Sequence, residues 1–258
     1  MTMIQQQAGK MGHPLMNLLR LNGTPILQQL QLEEKLLRTS SDNWCIINDG
    51  TDTPAIVMGV SGKPSQLLEI GPVLQDRVPV IRRFTGGGTV IVDSGTVFIT
   101  LICNKDAVPG VQPYPRSIMS WSGLLYSEVF RGLGDFKLRE NVPSKPSDKS
   151  KAMERSNLLA FSKFELEMEE AETVYLLLNK EGRDHTEFIC RLKEYLPRSV
   201  FIDKTVESIE TYFSVNPTNM EAIDESQGAE FVHSTTLLTR QELEEASASQ
   251  PKTIGVSV

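Results

Sequence analysis

The stretch Val80-Ile-Arg-Arg-Phe-Thr-Gly-Gly-Gly-Thr-Val-Ile-Val-Asp-Ser-Gly95 decides how this sequence is read. Apolar, β-branched runs flank three consecutive glycines, and β-branched residues favour strands. Glycine loses the most conformational entropy on ordering, so three in a row between strands are costly. A bent hairpin with positive φ needs only one or two of them. Three are explained if a ligand presses against bare backbone, whose N–H groups then meet an anion or a carbonyl. Arg82 and Arg83 enter the glycines from a strand, and alternation puts one on each face. Whichever shares the glycine face could hold a phosphate. On residue type, a phosphate or nucleotide site and a structural turn both stand, with the site preferred.

Outward from this string, strands are expected at 43–48, 54–60, 78–84, 89–92 and 96–103. Ser94-Gly95 reads as a tight hairpin turn, so residues 78–103 are expected to form an antiparallel meander. Upstream, Thr24 followed by Pro25 signals a helix start, with a capping hydroxyl and a preset φ. Ile26, Leu30 and Leu37 share one stripe, with Leu27 beside them. Glu33 and Glu34 fall near that stripe and are expected on its wet margin, since carboxylates facing a core need cationic or backbone partners. Downstream, a helix is expected from about Pro115 to Arg131, with Ile118, Trp121, Leu125 and Val129 inward and Gly132 and Gly134 as the stop. Asp135–Arg139 reads as a further strand and 142–151 as a Pro/Ser/Lys loop. Asn157–Lys180 reads as a helix with a solvated acidic face, Glu165 to Glu172. Asp184 with Glu187 resembles a capping box. Phe188, Leu192 and Tyr195 make a core stripe, and Val206, Ile209 and Phe213 another. Thr235–Glu245 is expected to be a peripheral helix, and residues from Ala246 a disordered tail.

Composition narrows the function classes. With 258 residues the chain is long for one compact domain and short for two. Its formal charge of −7 argues against a general nucleic-acid binder. Cys45, Cys103 and Cys190 share no C-x-x-C spacing and His13, His185 and His233 are scattered. Neither a disulfide scaffold nor a structural metal site is expected. No apolar run approaches the roughly 20 residues of a membrane span. Gly59-Val-Ser-Gly-Lys63 is too short for a P-loop, and Pro64 stands where Ser or Thr is required. Cys103 ends an apolar strand and reads as a buried small residue rather than a nucleophile. The first acidic residue is Glu33, which fits either an organelle presequence or a floppy N-terminus.

Arg82-Arg83-Phe84-Thr85-Gly86-Gly87-Gly88 resembles the Arg-Arg-x-Ser/Thr-Gly-Gly-Gly signature of the lipoate–protein ligase A family, whose catalytic domain is shared with biotin–protein ligases. Leu32-Glu-Glu-Lys-Leu-Leu-Arg38 resembles the family's opening helix, and Ile56-Val-Met-Gly59 through Lys63-Pro64 to Glu69 the strand and loop before the signature. The resemblance spans about residues 20–140 and 183–213 and is closest to plant-type members. It implies an α+β fold, a mixed, largely antiparallel sheet with packed helices, like the class II synthetase and biotin–lipoate ligase core. It also implies a reaction in two halves: lipoate and ATP, with Mg2+, give lipoyl-AMP, and the acyl group then passes to a lysine. The acceptors would be apo lipoyl-domain proteins, namely 2-oxoacid dehydrogenase E2 subunits or the glycine-cleavage carrier protein. By resemblance, Arg83 and Thr85 contact the acyl-adenylate. Gly86, Gly87 and Gly88 let backbone approach it. Thr89, Val90 and Ile91 line the nucleotide side. A mitochondrial location is implied, with a cytosolic one as the alternative.

Three positions depart from the family pattern. Val92 replaces a His before the signature Asp93. Gly59-Val60-Ser61-Gly62-Lys63-Pro64 replaces the Gly-Arg-x-Gln-Asn-Pro loop. The family's Lys-x-x-Gly-x-Ala motif has only a poor echo in Lys149, Lys151 and Ala152, so the catalytic lysine is not found and 142–182 reads as a replaced segment, partly disordered or helical. Two alternatives to a ligase follow: a chain that binds acyl or acyl-adenylate without transferring it, and an octanoyltransferase. A biotin ligase with a DNA-binding domain is disfavoured, since about 24 residues precede the first helix. The expected organisation is a flexible N-terminus over 1–20, a catalytic-type domain over 20–215, and a mostly flexible C-terminal extension over 216–258.

Overall fold

The computed structural model describes residues 12–132, 157–165, 196–226 and 231–250. Nine strands among them form two mixed sheets. The first orders β7 (Asn157–Glu165), β6 (Thr96–Asn104), β2 (Asn43–Asp49), β1 (Leu15–Asn22) and β8 (Ser214–Thr218). In it β1 runs parallel to β2 and β8, whereas β6 is antiparallel to both β2 and β7. The second orders β5 (Val90–Val92), β3 (Ala55–Met58), β4 (Val80–Arg82) and β9 (Thr236–Leu237). There β3 and β4 are parallel, and the outer two strands are antiparallel to their neighbours. This is the expected α+β class, split into two sheets.

Alternation along the strands builds the layers. In β6, Val97, Ile99, Leu101 and Cys103 face one cluster, with Cys45 and Ile47 of β2. That cluster is closed by α4 (Pro115–Val129) through Trp121, Leu125 and Val129, and by α5 (Arg198–Ile209) through Phe201 and Ile209, with Phe213 beyond it. On the opposite face, Trp44, Ile46 and Ile102 meet Leu32, Leu36 and Leu37 of α1 (Ile26–Thr39). The other side of α1 packs Ile26 and Leu30 on Ala55, Val57, Ile81 and Val92 of the second sheet. The far face of that sheet, Ile56, Met58 and Val80, is covered by Leu68, Ile70 and Val73 from α2 (Pro64–Leu67) and α3 (Ile70–Asp76), and by Leu243 of α7 (Arg240–Ala248). One helix is therefore sandwiched between two sheets. A short α6 (Met220–Ser226) adds Ile223 to the α1 layer.

The structure corrects several expectations. Residues 78–103 are not a meander. β3 intervenes between β4 and β5, so the triple glycine crosses over β3, and β6 leaves for the other sheet. Ser94-Gly95 is consequently an inter-sheet corner. Arg198 ties it to α5, donating to Ser94 O at 2.7 Å and pairing with Asp49. The meander expectation failed because adjacency along the chain was taken for pairing, and parallel β3–β4 pairing leaves no signature in strand composition. The Thr24 hydroxyl does not cap α1. Thr51 Oγ1 accepts from Ile26 N (3.2 Å), and the Asn48 amide bridges Thr24 N and O (3.2 and 2.9 Å).

Residues 157–165 are strand rather than helix, because the open edge of β6 offers a ladder of backbone partners. Thr236–Leu237 is strand, and Leu238 and Thr239 are irregular. The helix begins only after Thr239, whose hydroxyl and Glu242 form a reciprocal capping box. Within the expected extension over 216–258, the described residues 216–226 and 231–250 supply most of β8 and all of α6, β9 and α7, so they pack into the domain. Gln250 extends the contact by donating to Leu68 O at 2.7 Å. The expected strand at 135–139, the loop at 142–151, Lys149, Lys151 and Ala152, and the stripe at 188–195 lie outside the described residues. Among the described residues, no helix is long and apolar enough to cross a membrane.

Candidate functional site

The site grows from the end of β4. Ile81 faces α1, so alternation sends Arg83 to the same side and Arg82 to the other. Arg82 donates to Gly62 O at 2.7 Å and holds the 59–62 turn. Arg83, only 9% exposed, bends under the glycines: its Nε and Nη2 donate to Gly86 O (3.1 and 2.9 Å), and Nη2 also to Gly88 O (3.0 Å). Arg83 is thus the arginine on the glycine face.

The three glycines are not equivalent. Gly87 has φ +109°, and a Cβ there would overlap the Arg83 guanidinium. The carbonyl of Gly87 also lies where a Cβ on Gly59 would stand, so two bare backbones touch. Val60 N donates to Thr85 O (2.9 Å) and Arg83 N to Met58 O (2.9 Å), stitching the β3 exit to the loop. Gly86 and Gly88 are exposed, with open space where a Cβ would go. One glycine is explained by backbone conformation and close approach. The outer two leave bare backbone facing solvent.

Thr85 and Thr89 are half-buried at the two ends of the loop. Val90 packs toward α1, whereas Ile91 packs among Ile56, Met58 and Leu238 on the far face. Val90 and Ile91 therefore do not line one common surface, because β5 is extended and its side chains alternate.

Beneath the loop runs a buried polar chain that sequence reasoning misassigned. Asn48 and Thr100 occupy positions of β2 and β6 that face α1, between apolar neighbours. Asn48 Nδ2 donates to Gln29 Oε1 (2.8 Å). Gln29 Nε2 donates to Glu33 Oε1 (2.7 Å), and so does Thr100 Oγ1 (2.8 Å). Glu33 is fully buried, not on a wet margin. Burial pushes its carboxyl up to about 7, against the hydrogen bonds from Gln29 and Thr100 and the attraction of Arg83. Burial in turn lowers the Arg83 guanidinium from its ordinary value, and Glu33 opposes that.

Glu34, also fully buried, turns away to the C-terminal segment. Its oxygens accept from Ser234 N (3.0 Å) and Thr235 N (2.9 Å) and pair with Arg38 at 3.1 Å. Burial alone would raise its carboxyl, but the backbone N–H groups of Thr235 and Ser234 outweigh burial and hold it below the usual range. Thr235 Oγ1 then accepts from Phe84 N (3.2 Å), inside the signature, and β9 pairs with β4 at Arg82. The requirement for cationic or backbone partners was the signal that could have found both glutamates.

Residues 25–125 match the model of the lipoyl protein ligase A/B catalytic domain family. The matched stretch runs from the start of α1 into α4 and holds the whole glycine loop. A curated relative, the inactive lipoate–protein ligase 2 of Plasmodium falciparum, is 24% identical over 123 residues, 38% of this chain and 31% of that protein. The chain therefore aligns with about a third of that relative's length. Two solved structures share the fold. One, a lipoate–protein ligase A bound with ATP, has a TM-score of 0.64 and 13% identity, covering 83% of this chain and 92% of that one. The other is a bipartite lipoate protein ligase of Thermoplasma acidophilum, studied with its E2 lipoyl domain. It has a TM-score of 0.62 and 14% identity, covering 83% and 90%.

Cys103 and Cys45 are buried, and burial pushes the Cys103 thiol up to about 12, so neither is an activated thiolate. Among the described residues no group of three His, Cys, Asp or Glu could hold a metal ion.

Proposed function

We propose that this chain binds lipoate as its adenylate at the Gly86–Gly88 loop and passes the acyl group to a lysine of an apo lipoyl-domain protein. One observation carries the reading. A buried guanidinium, Arg83, lies directly beneath exposed bare glycine backbone. An acyl-adenylate is an activated mixed anhydride, so the protein's main tasks are to hold its phosphate, exclude water and orient the incoming amine. Arg83 meets the phosphate or the acyl carbonyl, and the Gly86 and Gly88 backbone lies flat against the ligand. Thr85 borders the acyl end and Thr89 the nucleotide end. ATP and lipoate are the substrates, and Mg2+ enters on the triphosphate, as this ion usually does. E2 subunits and the glycine-cleavage carrier protein are the proposed acceptors, in mitochondria.

A second reading is favoured by the absence of a Lys-x-x-Gly-x-Ala motif from the sequence: the chain binds the acyl-adenylate without transferring it. A positioned cation at a phosphoryl centre is worth several kcal/mol of barrier, roughly three orders of magnitude in rate. One assay separates the readings. The purified chain is mixed with ATP, lipoate and an apo lipoyl domain, and the acceptor is weighed by mass spectrometry. A lipoyl mass shift supports transfer. No shift, with the chain still protected thermally by lipoyl-AMP, supports binding alone. If neither appears, both readings fail.

A further inference from the structure

Glu33 Oε1 accepts two hydrogen bonds, but Oε2 is buried and has no hydrogen-bond partner among the described residues. Buried polar atoms are almost always paired, so an orphaned carboxylate oxygen asks for a reason. Among the described residues, the following groups face it from the packed elements. Its own helix presents Gln29, while Glu34 turns to Ser234, Thr235 and Arg38. β6 presents Thr100, and β2 reaches it through Asn48 and Gln29. Among the described residues, the charge acting on it is Arg83, which leaves β4 on the same α1-facing side as Ile81.

We propose that Glu33 is a positioning residue for Arg83: it holds the guanidinium's charge under the Gly86 and Gly88 carbonyls while the loop is empty, and takes up a proton when an anionic ligand claims that charge. This rests on the reading that Arg83 meets the ligand phosphate. Ionised Glu33 and Arg83 compensate each other in a buried layer between sheet and helix. A phosphate at the loop supplies Arg83 with a further anion, which weakens its hold on the Glu33 charge. A buried carboxylate without a counter-charge is strongly disfavoured. It gains one proton from solvent at Oε2, which leaves the buried carboxyl neutral. The net charge of the site stays constant, since one anionic charge enters and one proton follows. Burial already pushes this carboxyl up to about 7, so the exchange falls near neutral pH.

The test is calorimetric titration of the intact chain with a sulfamoyl analogue of lipoyl-AMP, in buffers of different ionisation enthalpy, with Glu33→Gln alongside. Gln keeps an acceptor for Thr100 and cannot ionise. The wild type is expected to take up about half a proton or more on binding at pH 7.5, and to lose up to about tenfold in affinity per pH unit above that. Glu33→Gln is expected to bind with no uptake and a flat pH profile. Uptake that persists unchanged in Glu33→Gln overturns the proposal, as does wild-type binding without uptake; in either case the ligand site stands. Wild-type binding without uptake overturns the proposal even if the variant does not fold. Failure of the wild type to bind the analogue overturns the site itself, and this inference with it.

Discussion

Removing the Glu34 carboxylate should release the C-terminal segment from the signature loop. The side chain accepts two backbone N–H groups across 200 residues of sequence, at 3.0 Å from Ser234 and 2.9 Å from Thr235. In Glu34→Ala the Thr235 N–H stays buried with no acceptor, which costs about 1–3 kcal/mol. The Ser234 N–H is partly buried and can turn to water, adding about 1 kcal/mol or less. The Arg38 pair is partly exposed and adds at most about 0.5 kcal/mol. The sum is about 1–4.5 kcal/mol of unfolding free energy, read as a shifted urea midpoint. Arg38→Ala, the control, should lose less than about 1 kcal/mol. Because Thr235 Oγ1 receives Phe84 N, amide exchange should accelerate at Thr235 and at Phe84 together, on the order of tenfold or more. Glu34→Ala losing no more than Arg38→Ala, or exchange rising at Thr235 but not at Phe84, would refute this coupling. The sign with pH is set as well. The folded carboxyl sits below its ordinary value, so its contribution is present above about 4.5 and is lost as pH falls through the folded value.

Three further outcomes are expected. Gly59→Ala should cost about 1–3 kcal/mol in thermal unfolding, because its Cβ meets backbone of Gly86 and Gly87 rather than a flexible side chain. Gly86→Ala and Gly88→Ala, with open space at both positions, should melt like the wild type yet bind the lipoyl-AMP analogue at least about tenfold more weakly; full affinity in both would remove the glycine backbone from the ligand surface. Glu33 is raised on folding from 4.5 to about 7, which destabilises the fold by roughly 3 kcal/mol at high pH. Its contribution is therefore present below about pH 4.5 and lost as pH rises through about 7. Stability of Glu33→Gln, measured by denaturant from pH 5 to 8, should fall less over that range than the wild type's.

Much of the fold was legible because its signals are local. Ile26, Leu30 and Leu37, the apolar β-branched run 96–103 and the spacing Trp121, Leu125 and Val129 each needed only one element's own residues, and all are buried, although Leu37 faces the first sheet while Ile26 and Leu30 face the second. The signature also put Arg83 and the glycines together within six residues. What failed was pairing. The β5-β3-β4-β9 order joins strands from distant parts of the chain, and composition carries no record of which edge meets which. The same limit hid Thr235, which reaches Phe84 from 151 residues away.

The sequence by itself therefore determined that a glycine loop has an arginine on its face, since that feature depends on spacing along one strand, whereas the α+β class came from the resemblance. Only the tertiary structure decided which oxygens and charges meet that arginine. Glu33 and Glu34 are neighbours on one helix, equal in chemistry. One is buried against Thr100 and Arg83 and pushed up, while the other receives backbone N–H groups from the C-terminal segment and is held down. That difference comes from what packs over each carboxylate, because desolvation and hydrogen bonding depend on neighbours in space rather than in sequence.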